Sequence, residues 1–176
     1  MIKERKLTSA NIDNTIKEYL DLLKTTPINV EAGNVLSFLT KIKREKLKSG
    51  PYPDVTLFEA ANRIMTDLTI LFGVKSLLEN KIKEINFDLY TVELGNENFN
   101  AHDIIAEGNG KKLIGEAFNV AESFFQTKKT SALKKLRDAK KGQEIILLVY
   151  NIDAVKSTYL PKPGIDEFHL PVKLDF

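Results

Sequence analysis

Apolar residues recur at helical spacing through the first third of the chain. In SANIDNTIKEYLDLLK, residues Ile12, Ile16, Tyr19, Leu20 and Leu23 share one face. In NVEAGNVLSFLTKIKREKLKSG, Val35, Leu36, Leu39 and Ile42 repeat the rhythm before a basic tail that stops at Gly50 and Pro51. TLFEAANRIMTDLTILFG predicts a third helix. Its Thr56 and Glu59 stand in capping-box spacing, where hydroxyl and carboxylate satisfy exposed amides, and Gly73 is placed as a left-handed cap.

From Asn86 the period shifts to alternation. FDLYTVELG, HDIIAEG and KLIGEAFNVA read as strands, with LGNEN, flanked by Glu93 and Glu97, as a turn. Asn109-Gly110 joins the last two strands and is a strong hairpin signal, because both central positions of a type I′ turn need positive φ. A long helix follows over SFFQTKKTSALKKLRDAKKG, with Ser123 as N-cap and Gly142 as terminator. EIILLVYN is an unbroken apolar run, as expected of a strand buried on both faces. The final STYLPKPGIDEFHLPVKLDF is broken by prolines and ends in an edge strand. Helices, then β-β-β-α-β, then a tail strand predict an α/β sandwich with a mixed sheet. We read a single domain over 1–176, mainly helical at 1–82, with a sheet-and-helix core at 87–151 and a tail at 152–176.

Composition narrows the class. The 176 residues suffice for one domain with a sizeable core, and 43% hydrophobic with 28% charged residues is the balance of a soluble globular protein. No apolar run approaches the roughly 18 residues of a membrane span. The start, MIKERKLTSANIDN, has basic residues without an apolar stretch behind them, which argues against a secretory signal. The absence of cysteine excludes disulfides, thiolate zinc sites and cysteine nucleophiles, and fits a cytoplasmic location. Net charge is only +2, so any attraction to nucleic acid must come from local clustering.

Two carboxylates interrupt the hairpin. Strand alternation puts Ile114, Glu116 and Phe118 on one face and Leu113, Gly115, Ala117 and Asn119 on the other, with Asp103 on the partner strand. Carboxylates converging from adjacent strands repel, and a shared proton, a lysine or arginine, or a divalent cation must offset that repulsion. Mg2+ commonly takes one or two carboxylates and keeps water and phosphate in its other positions, which suits phosphodiester hydrolysis. The plain alternative leaves Asp103 on nearby backbone and Glu116 facing solvent. The apolar flanks of Glu116 and a sheet covered on both faces speak against it.

The next helix carries Lys128, Lys129, Lys134, Lys135, Arg137, Lys140 and Lys141 beside a separate apolar stripe of Phe125, Ala132, Leu136 and Ala139. Such a face either tracks a phosphate backbone or is simply solvated near the negative end of the helix dipole. His102, next to Asp103, is expected to point the other way across the strand, in a structural role.

Asp103, a short spacer, Glu116 on the next strand, then a helix and a buried strand resemble the PD-(D/E)XK superfamily of restriction-endonuclease-like nucleases. The resemblance covers roughly residues 87–151. It implies a restriction-endonuclease-like mixed sheet flanked by helices, with Asp103 and Glu116 as ligands of Mg2+. The family lysine belongs two positions after the glutamate, where this chain has Phe118. Lys128 or Lys129, on the first turns of the following helix, is the expected substitute; Lys112 is less well placed. In many members a glutamate from an N-terminal helix also approaches the metal; here that is Glu59, with capping as its competing role. Lys128, Lys129, Lys134, Lys135, Asn119 and Ser123 are the expected nucleic-acid contacts. The implied activity is a Mg2+-dependent DNA endonuclease, of which type II restriction enzymes are one kind, acting on double-stranded DNA as a homodimer. The alternatives are a catalytically inactive nuclease-like nucleic-acid-binding or assembly module, and a small-molecule or regulatory domain.

Overall fold

The computed structural model describes residues 4–95 and 100–175. Its centre is one six-stranded sheet in the order β1 (Glu4–Leu7), β2 (Tyr90–Glu93), β3 (Ile104–Gly108), β4 (Lys111–Phe118), β5 (Ile145–Asn151) and β6 (Glu167–Val172). The pairings from β1 to β4 are antiparallel, and those of β4 with β5 and β5 with β6 are parallel. Four helices flank it: α1 (Ile12–Thr25), α2 (Val35–Arg44), α3 (Leu57–Leu78) and α4 (Glu122–Ala139). The protein is therefore α/β with a mixed sheet, as the periodicity predicts. None of the helices among the described residues is long and apolar enough to cross a membrane.

The hairpin forms as its turn residues require. Asn109 and Gly110 have φ of 52° and 73°, and Gly108 pairs with Lys111 across the two-residue loop. A parallel partner for β4 needs a crossover, which α4 supplies. All of β5 is buried. On one face Leu147 and Val149 pack with Leu71 and Val74 of α3; on the other, Leu148 and Tyr150 pack with Phe125 and Leu136 of α4.

Several sequence expectations give way here. A strand, β1, precedes the first helix and forms the sheet edge beside β2; four residues with Arg5 and Lys6 in the middle show no readable alternation. Gly73 does not cap α3, which continues to Leu78. A Cβ there would meet Val149 Cγ1 at 2.7 Å, so glycine is used for close approach of the helix to β5. Only half of the capping box forms: Thr56 Oγ1 accepts from the Glu59 N–H at 3.2 Å, while the Glu59 carboxylate turns to Arg63. Ser123 lies inside α4, whose N-cap is Ala121 without a side-chain bond. The strand expected over FDLYTVELG is only Tyr90–Glu93, and Glu97 lies outside the described residues. The apolar face of α2 is not core: Val35 and Leu36 are 74% and 76% exposed.

Candidate active site

A cavity of about 750 Å³ opens between the N-terminal half of α3 and α4, over the C-terminal end of β4. Strand register explains its acidic floor. Ile104 pairs with Gly115, and one further step of that register sets Asp103 opposite Glu116. Likewise Val92 pairs with Ile104, so Glu93 stands opposite Asp103, and the Glu93 N–H donates to the Asp103 carbonyl at 3.0 Å. Three carboxylates thus stand abreast, Glu93 on β2, Asp103 immediately before β3 and Glu116 on β4, and all three line the cavity.

Each has a distinct environment. Asp103 Oδ2 accepts the Ala117 N–H at 2.8 Å. Burial, and then the Glu116 charge, push its pKa up to about 7, against the pull of that amide and of Lys135. Glu116 Oε1 accepts from Lys135 Nζ at 2.7 Å and from His102 Nδ1 at 3.1 Å. Glu93 is buried, with Oε2 accepting the Asn100 N–H.

Phe118 belongs to the core. It is 2% exposed, and its ring lies 6.1 Å from Tyr150, stacked, and 6.0 Å from Phe125. A lysine here would have to bury its ammonium among aromatic rings. The ammonium that meets Glu116 is that of Lys135, in the fourth turn of α4.

The two lysines expected to substitute for one at position 118 differ in placement. Lys128 does line the cavity from α4, but Lys129 turns away: its Nζ is 3.2 Å from Tyr159 Oη and 5.6 Å from the Phe125 ring centre. Lys134 pairs with Asp138 and, like Ser123, is not in the cavity lining, whereas Asn119 is. Glu59 reaches the α3 wall, held 2.6 Å from Arg63 Nη2. His102 points at Glu116 rather than away from it, because it sits just ahead of β3, where strand alternation has not begun.

No protein-family model matches the chain, and neither does any curated protein or solved structure.

Two residues of the cavity lining, Glu93 and Asp67, have no site role among the sequence expectations. Asp67 lines the cavity from α3 and is almost fully buried. Its Oδ2 accepts from Tyr19 Oη at 2.6 Å and from Tyr52 Oη, and its Oδ1 accepts the Gly95 N–H at 2.9 Å. Burial raises its pKa to about 6 although those donors favour the charged form. The signal in the sequence is a lone carboxylate entering the apolar run LTILFG. Lys135 is expected as a nucleic-acid contact, and the structure sets it against Glu116. Phe124, Lys128, Ser131 and Lys135 follow one helical face at steps of four, three and four, a periodicity legible beforehand.

Among the described residues, no group of three or more His, Asp or Glu side chains is arranged to hold a metal. Asp103 and Glu116 nonetheless suit a hard divalent cation with few protein ligands. Their mutual repulsion is what raises Asp103 after burial, and a cation between them would relieve it.

Proposed function

We propose that the protein is a Mg2+-dependent DNA endonuclease with a restriction-endonuclease-like core. The observation that carries this reading is the Lys135 ammonium 2.7 Å from Glu116 on a cavity floor that also holds Asp103. The succession of Asp103, Glu116 on the adjacent strand, α4 and buried β5 supports it further. Asp103 and Glu116 hold the ion, which when bound supplies a water of lowered pKa and neutralises phosphate charge. His102 keeps the Glu116 carboxylate in one orientation. Lys135 donates N–H bonds toward the phosphate oxygen on which charge develops. Lys128 and Asn119, further up the cavity, hold the flanking backbone. Cutting both strands of duplex DNA calls for a two-fold pair of such sites, hence a homodimer.

Incubation of the purified protein with supercoiled plasmid and Mg2+, beside Asp103→Ala, tests the assignment. Nicking by the wild type alone is expected; equal nicking by both proteins sinks it. A second reading, binding without cleavage, draws on the same ion pair, since Lys135 neutralises Glu116 without any metal. It requires Mg2+-independent DNA binding with no nicking at all.

A further inference from the structure

Phe124 is 66% exposed on the first turn of α4, and its ring lines the cavity rather than the core. The core-facing aromatic of that turn is the neighbouring Phe125, which is buried. Below Phe124 on the same face come Lys128, Ser131 and Lys135, ending on Glu116. Eleven residues of helix separate Phe124 from Lys135, an axial rise of about 16 Å. An apolar ring, a cation, a hydroxyl and the carboxylate-bound ammonium therefore follow one another along a single wall. The space in front of them is about 750 Å³, the size of a small-ligand site. An exposed ring beside basic groups in a groove is the means by which proteins hold one unpaired strand, a base on the ring and phosphates on the cations.

We propose that the cleft takes single-stranded DNA, with one base stacked on Phe124 and the adjoining backbone running over Lys128 toward Asp103 and Glu116. This rests on the reading of the cleft as a polynucleotide site, and narrows the substrate there from duplex to an unpaired stretch or frayed end. Stacking on Phe124 sets how far from the held base the strand meets the carboxylates.

Fluorescence anisotropy in EDTA, where no cleavage occurs, tests it with a labelled oligodeoxythymidine, the same length of duplex, and an oligonucleotide of abasic spacers. The wild type is expected to bind the single strand more tightly than the duplex. Phe124→Ala should lose about tenfold for the single strand, the order expected of one stacked base, and Phe124→Trp should retain affinity. The abasic strand should show no difference between wild type and Phe124→Ala, because the lost partner is already absent. Unchanged single-strand affinity in Phe124→Ala, or tighter binding of duplex by the wild type, overturns the proposal. Plasmid nicking by a protein that fails these binding tests would leave the nuclease reading standing alone. Phe124-dependent binding without nicking would do the reverse. Because Phe124 is exposed, its substitution leaves the core untouched, and an unchanged melting temperature verifies this.

Discussion

At the scale of single residues, Phe118 fills the core while Lys135 supplies the ammonium that meets Glu116. The position two after Glu116 alternates onto the α4 face, and there the space is filled by Phe125 and Tyr150. A buried aromatic and a site ammonium cannot share one residue. Lys135→Ala should lower Mg2+-dependent nicking about a hundredfold, the usual cost of removing one preorganised donor, whereas Lys129→Ala should leave the rate unchanged. Moving the ammonium to position 118 should fail. Phe118→Lys added to Lys135→Ala should not restore nicking, and should destabilise the fold by about 3 kcal/mol or more in urea titration, for burying an unpaired charge in place of a packed ring. Recovery of activity in that double variant would show that α4, not β4, is the dispensable source of the lysine.

At the scale of elements, the site depends on how closely α3 lies against the sheet. Its N-terminal half supplies Asp67 and the α3 wall, and Gly73 seats the helix on Val149. Gly73→Ala would ordinarily favour a helix interior by nearly 1 kcal/mol. Here the added methyl would meet Val149 Cγ1 at 2.7 Å, closer than carbon atoms approach, and Val149 is a fully buried β-branched residue with little room to turn. A net loss of about 1–3 kcal/mol is expected from overpacking. Val149→Ala on its own should also destabilise by leaving a cavity. The double variant should be more stable than the sum of the two losses implies, with the coupling read from chemical denaturation.

At the scale of the whole molecule, Asp67 joins four separate segments: Tyr19 of α1, Tyr52 of the loop before α3, α3 itself, and Gly95 beyond β2. Its folded pKa, about 6, lies above the unfolded value. The native state therefore binds the proton more tightly, and the Asp67 contribution is full below about pH 4 and lost as pH rises through 6. Glu167 and His169 act in the opposite sense. Burial pushes the Glu167 carboxyl up, but the hydrogen bonds from Arg137 and His169 outweigh it and leave it below its ordinary value, while burial lowers His169, so both contributions are lost on acidification. Wild-type stability alone mixes the two trends. The difference in melting temperature between Asp67→Asn and wild type isolates one: it should shift in favour of the variant from pH 5 to pH 8, and a flat difference would contradict a raised Asp67 pKa.

Much of the fold was legible because it is written in local period and turn chemistry. The amphipathic pattern marks α1, α2 and α4, Asn109-Gly110 sets the hairpin, and the apolar run of β5 announces burial on both faces. The hairpin also determines that Asp103 and Glu116 face each other, since register follows from the two-residue turn. Three-dimensional packing decided the rest. Which lysine meets Glu116 depends on how α4 crosses the sheet, and several cations on that helix were equivalent in the sequence. Gly73 has the same backbone freedom in a cap or a close contact, and only the nearness of Val149 distinguishes them. Glu93 and Asp67 join the site from a strand and a helix distant in the chain, through pairing and burial that no local pattern encodes.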